Sequence, residues 1–219
     1  MYRAVIDPAP DHVAFALFDD EKQLVLENRP MRGRDAAELP VFILDTLRSC
    51  GVDFHAVKRW TVGAGPGSFT GLRLVSAMVS AWCLDKEDVR SRNIPGAIAL
   101  AGMLHLAADE KAGAVYDGRN KEILYFGVTG TASGDVIPTG ETAVLNKEQA
   151  EEFFRNRPQE RLAMFSCEAE AIRKILPQGV EASDFAFSDT ALLNRTQSRD
   201  FDNDLTRLVY IRPAVYAAN

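Results

Sequence analysis

A chain of 219 residues, 47% hydrophobic and 26% charged, has the make-up of an ordinary globular protein and can fill one large domain or two small ones. Three widely spaced cysteines, Cys50, Cys83 and Cys167, offer no disulfide framework, and no apolar run approaches the ~20 residues of a membrane helix. The net charge of −6 repels a polyanion, so a nucleic acid would have to be met by a local basic patch or through a partner.

Residues 1–7 run straight into a strand pattern with no signal-peptide core, so a cytoplasmic protein with reduced thiols is expected. Residues 2–7, 13–18 and 23–27 alternate around a polar turn at 19–22, which predicts an antiparallel meander of three strands. From 35 to 50, Leu39, Phe42, Ile43, Thr46 and Leu47 fall on one helical stripe; Pro40 suits a first turn and Gly51 a C-terminal stop. Residues 57–62 predict a fourth strand. A glycine loop follows, and then a second helix over 72–84. Pro95 opens a third helix running to about Ala108. A second β-rich unit begins near Ala112, with a hairpin of 112–117 and 121–129 and a further strand over 136–145. Asn146 caps a helix over 147–155, with Gln149 at the capping-box position. A strand at 162–166, a short helix at 168–176 and an extended apolar end at 208–213 complete the pattern. The expected domains are 1–109 and a smaller, divergent 110–219, whose last segment packs back on the first.

The most specific stretch is Gly63-Ala64-Gly65-Pro66-Gly67-Ser68-Phe69-Thr70-Gly71, between an apolar strand and a helix. Such a junction points backbone N–H groups and the positive end of a helix dipole at whatever sits above it. Its spelling is not that of the common phosphate loops, because no lysine follows the glycines and Ser68 stands where a third glycine would be needed. Pro66 and Thr70 likewise occupy the glycine positions of a nucleophile elbow. The eleven residues Gly63–Arg73, with one free position, closely resemble a signature of the bacterial TsaB family. That family takes part in making threonylcarbamoyladenosine on tRNA and is historically labelled glycoprotease-like. A weaker resemblance runs from about Val5 to Tyr125, with an echo at 209–212.

The resemblance implies an α/β chain with a duplicated ribonuclease-H-like core, the actin/hexokinase/Hsp70 architecture, built on mixed five-stranded sheets. It implies a non-catalytic paralogue that binds and stabilises a TsaD-like transferase, through it a TsaE-like ATPase and, indirectly, tRNA. In the family, the first two helices meet those of TsaD, or of a second TsaB copy, in a helical bundle. Helix two fits this role, since Arg73 is its only charge and Ser76, Ala77, Ser80 and Ala81 permit close helix approach. The interface candidates are Leu39, Phe42, Ile43 and Leu47 on helix one, and Leu74, Ala77, Met78, Ser80, Ala81 and Trp82 on helix two. Leu72, Val75 and Val79 are left to cover the domain's own sheet.

Asp7 closes the first strand, where an acid commonly meets a metal-bound phosphate in this superfamily. With Gly65, Gly67, Ser68, Thr70 and Gly71, it makes up the candidate nucleotide site. Pro8 and Pro10 stand where the family more often has threonines; they remove two backbone donors and two hydroxyls. No cofactor is expected, and ATP or ADP should bind no tighter than ~1 mM. TsaD holds its metal with a His-x-x-x-His pair on the first helix, whereas residues 32–38 here contain no histidine. His12, His55 and His105 lie too far apart to form a ligand pattern. Ser68 and Thr70 read best as helix caps. The arginines at 155, 157 and 161, and at 195, 199 and 207, are interleaved with acids and read as solvated surface. Two enzymatic alternatives stand beside the scaffold: a nucleotide-dependent transferase or metallopeptidase, and a small-metabolite kinase of the same superfold.

Overall fold

The computed structural model describes residues 1–8, 12–30, 37–66, 69–186, 190–196 and 200–211. The chain divides into two compact units, residues 1–96 with 190–209 and residues 97–189 with 210–219. The division falls between residues 96 and 97, ahead of the position 109 read from the sequence.

In the first unit, β1 (Tyr2–Pro8), β2 (His12–Asp19) and β3 (Lys22–Pro30) form the antiparallel meander. β2 is apolar without alternation because it lies between two strands and is buried on both faces. β3 is the edge, and Lys22, Glu27 and Arg29 keep it from pairing with another chain. β4 (Val57–Gly63) lies parallel to β1, and β5 (Arg90–Ile94) lies parallel to β4, which gives the order β3-β2-β1-β4-β5. α1 (Leu39–Ser49) holds Pro40 in its first turn, and α2 (Phe69–Cys83) starts directly after the glycine loop. One core joins Ala4, Ile6, Phe15 and Leu17 of the sheet to Ile43 and Leu47 of α1 and to Val75 and Val79 of α2. Burial of such side chains contributes roughly 1.5–3 kcal/mol each. Trp60 anchors this face, its ring tilted against Trp82 at 5.0 Å and against Phe54 at 5.8 Å.

The second unit repeats the plan. β6 (Lys111–Arg119), β7 (Glu122–Gly130) and β8 (Val136–Leu145) form an antiparallel meander, with β9 (Arg161–Phe165) and β10 (Ala182–Phe185) added in parallel, in the order β8-β7-β6-β9-β10. α3 (Gly96–Gly102) follows β5 and ends six residues short of the position read from the sequence. α4 (Lys147–Arg155) carries the expected capping box: the Gln149 N–H donates to Asn146 Oδ1, and the Asn146 N–H donates to Gln149 Oε1, each at 2.9 Å. α5 (Ala169–Arg173) and α4 pack Ile172, Ala150 and Phe154 against Val115, Leu162 and Met164. α6 (Thr190–Arg195) belongs to the first unit, although it comes last in the chain. Two meander-plus-parallel sheets of matching order are the duplicated ribonuclease-H-like fold expected of an α/β chain.

Candidate functional site

The strand ends of β1, β4 and β5 converge on Asp7. It is 4% exposed, inside β1 rather than in a turn, and paired across the sheet with Ala14. Its carboxylate fills the space beside two glycines. A Cβ on Gly63 would lie 2.9 Å from Asp7 Cγ and closer still to Oδ1, and one on Gly96 would lie 3.0 Å from Oδ1. Gly63 is therefore required by the acid next to it, a constraint independent of any ligand. Beyond it the Ala64 N–H donates to the Ile94 carbonyl at 2.7 Å, and the Ala64 carbonyl accepts from the Val209 N–H at 2.8 Å. Gly65 sits at φ +98°, in the region that disfavours any side chain, and precedes a cis bond to Pro66. Of the other nucleotide candidates, Thr70 is exposed and Gly71 is buried in the first turn of α2, while Gly67 and Ser68 lie outside the described residues.

The helix face divides more sharply. Leu39, Ile43 and Leu47 are 2%, 0% and 1% exposed and belong to the unit's own core, so they are corrected from interface to core residues. The stripe read on α1 is the side that covers the sheet, as an amphipathic helix requires. Phe42, Leu74, Met78 and Trp82 are half-buried against that core; the Trp82 ring packs edge-on to Phe54 at 5.1 Å, and Phe42 edge-on to Phe15 at 6.4 Å. Ala77, Ser80 and Ala81 are exposed, opposite the buried Leu72, Val75 and Val79. On α1, Val41 is exposed, a residue outside the stripe and so missed by periodicity. Its signal was a β-branched apolar residue where the helix should be polar.

Among the described residues, no three His, Cys, Asp or Glu side chains gather as metal ligands, and no helix is long and apolar enough to cross a membrane. Burial pushes the Cys83 thiol up, away from a reactive thiolate. Of the arginines read as solvated, Arg157 pairs with Glu141, Arg161 with Glu110 and Arg207 with Asp204.

No family model matches the sequence, and no curated relative matches it. Solved structures do match. YeaZ from Pseudomonas aeruginosa superposes with a TM-score of 0.68 at 18% identity over 88% of each chain. A second structure, an uncharacterized protein with similarity to peptidase YeaZ from Pseudomonas aeruginosa, reaches 0.72 at 18% identity, covering 96% of this chain and 99% of the other. The chain has the YeaZ fold. The YeaZ likeness extends over both units, so the divergent second half retains its architecture even where its sequence resembles nothing in particular.

Proposed function

We propose that this chain is a TsaB-type, non-catalytic subunit of the machinery that installs threonylcarbamoyladenosine on tRNA, and that it binds and stabilises a TsaD-like transferase. The observation that carries the reading is the outer face of α2. Ala77, Ser80 and Ala81 are exposed on a helix whose only charge is Arg73, and α1 separately exposes the apolar Val41. Small residues in such a stripe let a second helix approach closely, and lone charges would be costly there once covered. The spelling of Gly63–Arg73 and the likeness to YeaZ structures support the family side of the proposal. The partner supplies the chemistry, and tRNA is met indirectly, within a complex that also takes in a TsaE-like ATPase; without the partner, the same face pairs two copies of this chain.

The test is co-purification with a TsaD-like transferase. Ala77→Glu places a charge on the contact face and should abolish binding, with loss of threonylcarbamoyladenosine in complemented cells, while circular dichroism and melting stay normal. A folded variant that binds and complements like the parent refutes the assignment of the face. Micromolar ATP binding by the isolated chain, lost in Asp7→Ala, would instead favour a nucleotide-dependent transferase or kinase.

A further inference from the structure

The other face of the first sheet, the one that α6 covers, carries a cluster unrelated to the glycine loop. Three neighbouring strands each contribute an arginine: Arg3 from β1, Arg59 from β4 and Arg92 from β5. Arg3 and Arg59 are register partners, and Arg92 stands opposite Thr61, two residues along β4 from Arg59. The period of two therefore sets all three on the same face. Like charges on adjacent strands repel.

Arg92 is 4% exposed and is occupied by the fold. Its Nε donates to Thr61 Oγ1 at 3.1 Å, Nη1 to the Thr196 carbonyl at 2.7 Å, and Nη2 to the Leu193 and Asn194 carbonyls at 3.1 and 2.8 Å. Phe201 stacks on its guanidinium at 4.3 Å. These partners are neutral, and the Asp200 carboxylate acts on the same guanidinium through space. Arg59 Nη1 likewise donates to two backbone carbonyls, of Lys58 at 2.9 Å and Asp88 at 3.1 Å. Arg3 reaches the exposed Glu21 through Nη1 at 3.1 Å.

Between the three lies a cavity of about 200 Å³, also lined by Asn194, Asp200, Phe201 and Met1, whose ammonium pairs with Asp19 and Asp20. That is far above the ~10–15 Å³ that one water requires. Among the described residues, Asp200 is the one carboxylate in the lining, against three guanidinium groups. Two buried donors there have no acceptor: Arg3 Nε, and Nδ2 of Asn194, a residue 3% exposed. Such orphan donors are uncommon in folded proteins. Burial, and then the Arg3 charge, pull the Arg92 guanidinium down to about 10. The cavity thus combines surplus positive charge with unused buried donors, and an anion with several acceptor oxygens answers both.

We propose that this pocket binds a small oxyanion of the phosphate class, with Arg3 Nε and Asn194 Nδ2 donating to its oxygens and Arg59 and Arg92 supplying the charge. The ligand docks the segment carrying α6 and Phe201 to β1, β4 and β5. It is separate from the face of α2 and does not depend on the partner proposed for it.

Calorimetry on the whole chain with inorganic phosphate, at fixed ionic strength balanced with chloride, tests this. Saturable binding is expected, weakened about tenfold or more in Arg59→Gln, tightened in Asp200→Asn and unchanged in Arg48→Gln, which alters a surface arginine paired with Asp45. Glycerol 3-phosphate forms a second arm: stronger binding than inorganic phosphate identifies the phosphate group of a metabolite, and weaker binding identifies the free ion. Absence of saturable binding of both up to ~10 mM, or equal affinity of Arg59→Gln and the parent, overturns the proposal. Should Arg59→Gln fail to fold, Asp200→Asn decides, and binding no tighter than the parent's counts against the site.

Discussion

Gly63→Ala is the sharpest probe of the strand ends. Gly63 lies in a strand with no left-handed φ, so alanine brings no backbone penalty there, and any cost measures the crowding against Asp7. The added methyl would meet Asp7 Cγ at 2.9 Å and Asp7 Cα at 3.1 Å. The carboxylate already lies close to Gly96, where an added Cβ would stand 3.0 Å from Oδ1, and the α-carbon belongs to the paired backbone of β1. Overpacking of this kind costs roughly 1–3 kcal/mol, and the clash with main chain puts this case at about 2–3 kcal/mol. For a chain of this length the melting temperature should fall by about 4–12 °C. In an Asp7→Ala background, Oδ1 and Cγ are gone and only the close approach to the main chain of residue 7 remains, so the same substitution should cost about 1 kcal/mol or less. The double-mutant cycle then gives a coupling of about 1–2 kcal/mol, read by urea denaturation of the four proteins. A Gly63→Ala protein that melts with the parent, or a cost equal in both backgrounds, would refute the account of the glycine.

Arg92→Met leaves three buried carbonyls at the end of α6 without their donor; urea denaturation should show a loss of about 3–5 kcal/mol, and a loss under about 1 kcal/mol would mean the clamp is dispensable. Asn146→Ala removes the capping box of α4 and should cost about 1 kcal/mol, detectable as faster amide exchange in the first turn of that helix. The Ala107 N–H at 2.8 Å, and after it Arg161, hold the Glu110 carboxyl below its ordinary 4.5. A depressed folded value means stability that is present above about pH 4.5 and lost as pH falls through the folded value. The acid limb of the stability curve should therefore be shallower in Glu110→Gln, and an unchanged limb would contradict that sign.

What was legible in the sequence followed from burial on one face at a time. The meanders, α4 and most of the division of α2 into a sheet-facing and an outer side came from periodicity and capping; Ser76, read on the outer side, is buried at 7% exposure. β5 did not, because Arg90-Ser91-Arg92-Asn93 reads as a loop. Its polar side chains are buried with partners more than 100 residues away in sequence: Arg92 on Leu193, Asn194 and Thr196, and Asn93 on the Arg207 carbonyl at 3.0 Å. No local window holds both halves of such a pair. β10 and α6 were missed; at four and six residues they are short for a period to establish itself, and the equally short α5 was read only as part of a longer stretch, 168–176. The α1 error was of another kind. An apolar stripe marks a covered face, and pattern alone does not say whether the cover is the chain's own sheet or a partner. The arginine pocket was overlooked because its members lie on separate strands and become neighbours only through β-pairing.

The first unit is written in two pieces of chain, and this orders its assembly in time. Leu205 is 2% exposed in the core shared with the opening strands, Asn203 Oδ1 accepts from the Ser91 N–H at 2.7 Å, and Val209 meets Ala64 beside the glycine loop. None of these interactions can form until residues 97–189 have been synthesised, a delay of roughly 5–20 s at about 5–20 residues per second. During that interval β5 has its pairing with β4 and Arg92 has the Thr61 hydroxyl, but the carbonyls of Leu193, Asn194 and Thr196 are still missing, so the nascent sheet lacks the cover of α6. A chain cut off within the second unit therefore lacks a piece of the first. The sheet behind α1 and α2 has all its strands by residue 94, but its core gains Leu205 only once the returning segment is made, so truncated products would carry that surface on a less stable unit.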